Sequence, residues 1–121
     1  MSVSEGYRDF VLEQLGRAVP ALRARPMFGG VGLYSGPLFF ALIDDDTLYF
    51  KVDDTTRPTY EARGMGPFRP SGPDGEVMGY YELPADALED IEELTLWAER
   101  AVQVAAARAR KRSTSRKRSQ D

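Results

Sequence analysis

Three groups of turn-forming residues divide residues 22–52 into short apolar runs. These groups are Gly29-Gly30, Ser35-Gly36-Pro37 and Asp44-Asp45-Asp46. The runs between them are rich in aromatic and branched side chains, and such breaks are typical of turns that join successive antiparallel strands. The pattern predicts strands at residues 31–34, 38–43 and 47–52. It also predicts an edge strand at 22–27, because Pro26 limits the hydrogen bonding of that run.

Segments with helical spacing flank this predicted meander. After Ser4, apolar side chains at helical spacing predict a first helix that ends before Pro20: Tyr7, Phe10, Val11, Leu15 and Ala18. A longer stripe predicts a final helix capped at Asp90, and we expect its side chains, Trp97 included, to be buried: Leu94, Trp97, Ala98, Ala101, Val102 and Ala105. Residues 53–63 predict a short helix stopped by Gly64, and residues 76–82 predict a further strand.

These elements together define a fold class. They predict an α+β fold with an antiparallel sheet of about four to five strands, N- and C-terminal helices packed on one face, and a short middle helix. A chain of 121 residues has room for one domain and a tail. We therefore predict a domain at residues 1–107 and a tail at residues 108–121.

Charge separates the same two segments. Residues 1–107 contain nine basic and eighteen acidic side chains, whereas residues 108–121 contain seven basic side chains and one acidic side chain. The basic residues of the tail are Arg108, Arg110, Lys111, Arg112, Arg116, Lys117 and Arg118. Because almost no apolar residues accompany them, we expect a disordered arm on an acidic body. Such an arm suits non-specific contact with nucleic-acid phosphates, and a solubilising tail is the alternative.

Two residue types are absent, which narrows the available chemistry. The chain has no cysteine and no histidine. Disulfides, thiolate nucleophiles, histidine-dependent triads and the commonest transition-metal ligands are therefore excluded. We expect no catalytic, cofactor-binding or metal-binding residues. The longest apolar run has six residues, and the first residues lack the positive charge of a secretory signal, so we expect a cytoplasmic protein without membrane contact.

Two loop sequences invite a ligand-binding interpretation. Gly29-Gly30 resembles a phosphate-binding turn, but no Gly-Lys-Ser/Thr follows, so we interpret it as a tight turn between strands. Asp44-Asp45-Asp46 and Asp53-Asp54 offer oxygen ligands for Mg²⁺ or Ca²⁺, but their spacing fits no EF-hand. We interpret the first group as a solvated hairpin tip and the second as a helix cap.

A further set combines cations with aromatic rings. Arg25, Lys51, Tyr80 and Tyr81, together with Gly29-Gly30, form a candidate surface for an anionic ligand or a partner. The alternative places the two cations on sheet edges and the two tyrosine rings half buried. We expect the Phe and Tyr side chains of the meander to lie in the core rather than on a stacking platform.

Several sequence strings occur in the order that is characteristic of one family. They are Arg25-Pro26-Met27-Phe28-Gly29-Gly30 with Gly32-Leu33-Tyr34, Phe40-Ala41-Leu42-Ile43, Leu48-Tyr49-Phe50-Lys51-Val52-Asp53, Gly64-Met65-Gly66-Pro67-Phe68, Met78-Gly79-Tyr80-Tyr81-Glu82-Leu83-Pro84 and Trp97-Ala98. Together they cover about residues 10–105. On these strings the chain resembles the N-terminal domain of the bacterial TfoX/Sxy competence regulators, in a standalone form.

The resemblance implies a compact α+β domain without catalytic residues, from proteins linked to DNA uptake and its transcriptional control. Full-length members carry a second, C-terminal domain that resembles a helical DNA-associated module, where this sequence has a short basic tail. We therefore expect a non-enzymatic regulatory or adaptor domain, without cofactor, that binds the transcription machinery or a regulator. A homodimer module is one alternative. The other is a small-molecule-binding or enzymatic domain that uses Gly29-Gly30 with Arg25 or Lys51.

Overall fold

The computed structural model describes residues 4–27, 29–69 and 79–120, with the backbone alone for 112–120. Its helices are α1 (Glu5–Ala18), α2 (Arg57–Ala62), α3 (Ala85–Glu89) and α4 (Ile91–Gln120), and its strands are β1 (Leu22–Met27), β2 (Gly30–Ser35), β3 (Leu38–Asp44), β4 (Thr47–Lys51) and β5 (Tyr80–Glu82). The strands form one antiparallel sheet in the order β1-β2-β3-β4-β5. This confirms the predicted α+β class and the meander, including the edge strand that contains Pro26.

Tight turns connect the strands of the meander. Asp45 and Asp46 join β3 to β4, and both have positive φ, 50° and 52°. Positive φ at both central residues is the geometry of a type I′ hairpin, whose twist matches that of the strands. Gly29 lies between β1 and β2 with a φ of 80°, which favours glycine. Both the predicted hairpin tip and the predicted tight turn are confirmed.

A bulge in β3 decides which of its side chains face the core. Leu33 pairs with Ala41 and Tyr34 pairs with Phe39, so Phe40 is an additional residue on β3. A bulge of this kind breaks the strict alternation of side chains along a strand. Phe40 and Ala41 consequently both belong to the core, while Phe39 stacks with Tyr34 on the opposite face.

Helices α1 and α4 cover one face of the sheet. Val11 and Leu15 of α1 and Leu94 of α4 are fully buried in the core. Trp97 of α4 is 6% exposed, and its ring meets that of Tyr60 edge-on with the centroids 4.5 Å apart. Apolar burial and an edge-to-face ring pair both stabilise this contact. The predicted burial of Trp97 and the packing of both helices on one face are confirmed.

Asp53 organises the turn before α2. Its Oδ1 accepts hydrogen bonds from the Thr55 hydroxyl at 2.6 Å and from the backbone N–H groups of Thr55 and Thr56 at 2.9 and 3.1 Å. The Thr55 hydroxyl and these N–H donors lower the pKa of Asp53. The first residues of the helix predicted at 53–63 form this capped turn, so α2 is shorter than the prediction. It ends before Gly64, whose φ is 76°.

Two predicted boundaries differ from the structure. The strand predicted at 76–82 corresponds to β5, and residues 76–78 of that prediction lie outside the described residues. The tail prediction placed a disordered segment at 108–121, whereas the helical backbone of α4 continues to Gln120. Ala, Arg, Lys and Gln have high helix propensity, and no Gly or Pro interrupts this stretch. The division into a domain at 1–107 and a basic tail at 108–121 remains a prediction.

The length of α4 raises the question of whether it could cross a membrane. It has 30 residues, but charged side chains recur along it. Neither α4 nor any other helix in the part of the chain that the structure describes is long and apolar enough to span a bilayer.

Candidate binding surfaces

The sheet face opposite α1 and α4, which we name the aromatic face, carries a row of rings. Tyr34 and Phe39 stack with their centroids 5.0 Å apart and their planes 25° from parallel. Phe39 also contacts Tyr80, with a centroid distance of 5.6 Å. Tyr49 and Phe68 form a second pair with centroids 4.8 Å apart. The aromatic face thus presents ring contacts that run from β2 to β5.

Basic side chains border this row. Arg23 on β1 pairs in register with Tyr34, and Arg25 lies two residues further on, so both are on the aromatic face. Both arginines are exposed. Lys51 Nζ on β4 lies 4.8 Å from the centroid of the Tyr80 ring, which is a cation–π contact. Cations therefore occur on β1 and above the last ring of the row.

Acidic side chains of the same face lie toward its other side. Glu82 is on the edge strand β5 opposite Tyr49, and Asp44 is the last residue of β3. Burial raises the pKa of Tyr49, and the charges of Glu82 and Asp44 raise it further. The aromatic face is consequently basic along β1 and acidic beside Tyr49.

The structure separates the candidate ligand set of the sequence into different places. Lys51 and Tyr80 are paired neighbours on the aromatic face. Arg25 shares that face but lies three strands away on β1. Tyr81 lies on the other face, where its hydroxyl donates a hydrogen bond of 3.0 Å to Glu61 Oε2. Of the four side chains, only Lys51 and Tyr80 come together.

Gly30 of the same candidate set has a packing role. A Cβ atom at position 30 would collide with the backbone carbonyl oxygen of Ile43 on the neighbouring strand β3. Glycine at this position therefore lets two strands approach closely. Gly29 and Gly30 are explained by the hairpin, and this contact lends no support to a ligand-binding loop.

A shallow groove of about 580 Å³ lies between α2 and α4, on the helix-covered side of the sheet. Trp97 lines it together with Leu96, whose side chain is 54% exposed. Arg63 and Arg100 also line the groove, and one Nη of Arg63 lies 3.6 Å from Glu93 Oε1. The groove thus combines an exposed apolar side chain with two guanidinium groups on an otherwise acidic body.

A smaller cavity of about 160 Å³ lies where α1 meets the hairpin of β3 and β4. Tyr7 lines it, and burial raises the pKa of Tyr7 to about 12, with smaller contributions from Asp46 and Glu82. The backbone N–H of Ser4 donates a 2.7 Å hydrogen bond to Asp46 Oδ1, which links the start of α1 to the hairpin tip. Among the described residues, no group of three or more carboxylates is placed to hold a metal ion.

The described end of α4 carries exposed cations. Ala105 is the last α4 residue of the core cluster, and Arg108, Arg110 and Lys111 beyond it are exposed. The side chains of the other predicted tail cations lie outside the described ones: Arg112, Arg116, Lys117 and Arg118. Three basic side chains therefore follow the core on a helix that the core anchors.

The helices and strands described above agree with one sequence family. The sequence model of the TfoX N-terminal domain matches residues 13–105, which run from α1 through all five strands into α4. The chain belongs to the TfoX N-terminal domain family. No curated protein matches the chain significantly. At the level of the family, the TfoX N-terminal domain assignment supports a regulatory domain of the competence type, and residues 108–121 lie beyond the matched region.

Sequence reasoning missed the aromatic face. It placed the rings of the meander in the core, which is right for Phe40 and Phe50 but wrong for Tyr34, Phe39 and Tyr49. The alternation in β4, where Tyr49 precedes a buried phenylalanine, was a signal for one of them. No pattern in the sequence indicates the bulge that turns Phe39 away from the core.

Proposed function

We propose that this TfoX N-terminal domain is a non-enzymatic regulatory or adaptor domain, linked to transcription or competence control, that binds a protein partner. Its basic tail adds non-specific contact with nucleic acid. The observation that carries the proposal is the family match over residues 13–105. The exposed cations that follow the core of α4 support the role of the tail.

The shifted pKa values give no support for acid–base catalysis. Burial raises the pKa of Tyr7 to about 12, and burial also raises the pKa of Tyr49 and of Tyr60. Hydrogen bonds lower the pKa of Asp53. General acids and bases work best with a pKa near the operating pH. Each of these shifts moves the pKa further from neutral pH, whereas a catalytic acid or base needs a pKa closer to it.

The groove between α2 and α4 is the surface that we assign to the protein partner. Leu96 offers an exposed apolar anchor there, while Arg63 and Arg100 flank it. The body as a whole has twice as many acidic as basic residues, whereas the groove lining has two arginines and one glutamate. Arg63 is ion-paired with Glu93 and Asp86, so Arg100 is the cation with which we expect a partner carboxylate to pair. Charge complementarity favours a partner segment that carries an apolar side chain beside a carboxylate.

Affinity purification from the native host tests the partner. The full chain and the Leu96→Glu variant are compared, with and without nuclease, and bound proteins are identified by mass spectrometry. We expect a component of the transcription machinery or a regulator that survives nuclease and is lost with Leu96→Glu. Gln103→Glu is the matched control, because it adds the same charge at an exposed position of α4 outside the groove lining. Capture of a lone metabolic enzyme contradicts the proposal.

Salt-dependent binding of duplex DNA tests the tail. A full-length variant with all seven tail cations replaced by glutamine keeps the length of the chain. Fluorescence anisotropy with two unrelated duplexes should give a log–log salt slope between about −3 and −6 for the natural sequence and near zero for the variant. Both duplexes should bind equally. Equal binding by both proteins would place the contact on the body instead.

A further inference from the structure

We propose that the aromatic face binds single-stranded nucleic acid, with a base stacked on Tyr34 and the adjacent phosphates held by Arg23 and Arg25. This site is separate from the basic tail of the proposed function. It lies on the sheet, and it reads bases through their ring faces rather than phosphates alone.

Among the residues that the structure describes, the ring contact of Tyr34 is with Phe39 on one face of its ring. Tyr34 stacks on Phe39 at 5.0 Å with nearly parallel planes, so its other face is directed toward β1. Arg23 lies opposite Tyr34 in register on that strand and is exposed. A base that stacks on this ring face would lie beside the Arg23 guanidinium, which can then reach an adjacent phosphate. Proteins commonly hold unpaired bases on aromatic rings.

Neighbouring residues of the sheet hold the rings of the row in place. Side chains that are already held lose less conformational entropy when a ligand binds. Gly32 has no side chain, and Met27 and Phe39 lie over it: a Cβ there would be 2.9 Å from Met27 Sδ and 3.3 Å from Phe39 Cε1. Phe39 is also held by Tyr80 on its far side. Rings fixed by such contacts form a preorganised stacking surface.

The charges on this face favour a polyanion at one end. Arg23 and Arg25 occupy β1, the first strand of the sheet, while Glu82 is on β5, the last strand. Four strand spacings separate the two edges, or roughly 19 Å, which exceeds the Debye length of about 8 Å at physiological salt. Glu82 therefore does little to repel phosphates at the β1 edge. Asp44 of β3 is two strand spacings from β1, or about 10 Å, which also exceeds the Debye length.

A second copy of the chain fits this face less well than a nucleic acid. A stable protein interface buries about 800 Å² on each partner and has an apolar centre. Here the rings of Tyr34 and Phe39 are half buried already, and the large hydrophobic side chains that the described part of the chain exposes are Phe10 and Leu96, on α1 and α4. Stacking of a single base requires only one ring face.

The test compares two single strands that carry the same number of phosphates. One is oligothymidine of about 12 nucleotides, and the other is an abasic strand of equal length. Both are titrated against the full chain and against the full-length variant with seven glutamines in the tail, by fluorescence anisotropy. We expect oligothymidine to bind at least about fivefold more tightly than the abasic strand to both proteins, because stacking adds affinity that phosphates alone do not give.

Two substitutions locate the effect. Tyr34→Leu keeps an apolar side chain against Phe39 but removes the ring, so the preference for oligothymidine should disappear. Tyr49→Leu is the matched control, since it removes a tyrosine from the same face on its acidic side and should keep the preference. Circular dichroism and thermal melting establish that each variant is folded. Arg23→Gln should weaken the binding of both strands.

Crosslinking provides a second measurement that needs no variant. Oligothymidine that contains 4-thiothymidine is irradiated with the natural chain, and the modified residue is identified by mass spectrometry. Crosslinks at Tyr34 or Phe39 support the proposal, and crosslinks confined to the tail overturn it. Equal affinity for the two strands also overturns it, as does a homodimer in sedimentation that Tyr34→Leu dissociates. Failure of the tail proposal can be distinguished from failure of this one. The tail proposal fails if the seven glutamines leave duplex binding unchanged.

Discussion

The two faces of the sheet are closed to different degrees. On the helix-covered face, Leu33, Ile43 and Phe50 are fully buried. On the aromatic face, Tyr34 and Phe39 are only partly buried, and arginines border them. An antiparallel sheet can pack one face on the core and leave the other in contact with solvent. The aromatic face is itself closed in part, since Leu42 and Tyr80 on it are buried. The difference indicates that the helix-covered face contributes more to the stability of the domain than the aromatic face does.

The composition of the two faces supports the same division. Core contacts such as that between Phe40 and Phe50, with centroids 5.9 Å apart, involve apolar groups alone. Contacts on the aromatic face include the cation–π pair of Lys51 and Tyr80. Apolar burial stabilises a fold without directional requirements, whereas rings beside cations suit ligands with both planar and charged parts. Substitutions on the two faces should therefore have effects of different size and kind.

The largest effect is expected for Trp97→Ala. The side chain is 6% exposed and its loss leaves a cavity beneath α4, so the free energy of unfolding should fall by about 3–5 kcal/mol. The adjacent Leu96→Ala is the matched control and should change it by less than about 0.5 kcal/mol, because Leu96 is 54% exposed. Urea denaturation followed by circular dichroism measures both. An unchanged midpoint for Trp97→Ala would show that the helix-covered face is not the main source of stability.

Alanine substitutions at Gly30 and Gly32 compare a contact with rigid strand backbone and a contact with a flexible side chain. Gly30→Ala places a methyl group against the carbonyl of Ile43, and strand backbone must move, so we expect a loss of about 1–3 kcal/mol. Gly32→Ala meets chiefly the flexible end of Met27, which can turn aside, so its loss should be smaller. Thermal melting of the two variants gives the comparison. A larger loss for Gly32→Ala would mean that the end of the Met27 side chain is held as rigidly as strand backbone.

These contrasts explain how much of the molecule the sequence predicted. The meander was predictable because Gly29-Gly30, Ser35-Gly36-Pro37 and the three aspartates are local turn signals. The buried stripe of α4 was predictable because its helical period is local as well. Each of these features depends on neighbours in the chain, so no knowledge of the tertiary structure is needed.

The aromatic face could not be predicted in full, because it depends on contacts between distant residues. The bulge at Phe40 exchanges the faces of its neighbours, and it arises from the pairing of β2 with β3. Phe39 and Tyr80 are far apart in sequence and meet only in the folded sheet. The extent of α4 was missed for another reason: basic composition indicated disorder, whereas helix propensity favours continuation to Gln120.

A smaller effect is expected for the coupling between Tyr34 and Phe39. A double-mutant cycle with Tyr34→Leu and Phe39→Leu should give an interaction energy of about 0.5–1.5 kcal/mol, the range for stacked rings. In the same cycle on Phe40 and Phe50, each single variant should lose more stability than Tyr34→Leu or Phe39→Leu does, because the Phe40 and Phe50 rings are fully buried. Urea denaturation of the six variants and the natural chain supplies the data. An interaction energy of zero would show that the Tyr34 and Phe39 rings do not stabilise each other.

The smallest effect on stability is expected for the cations of β1. Arg23 and Arg25 are exposed on an edge strand, and exposed charges contribute little to folding. The double variant Arg23→Gln and Arg25→Gln should therefore change the free energy of unfolding by less than about 0.5 kcal/mol. Chemical denaturation at low and high salt measures it, and the result should be the same at both. A loss above 1 kcal/mol, on the scale of a paired buried group, would place these arginines among the determinants of the fold. The division between a stabilising face and a binding face would then no longer hold, because the same side chains would serve both.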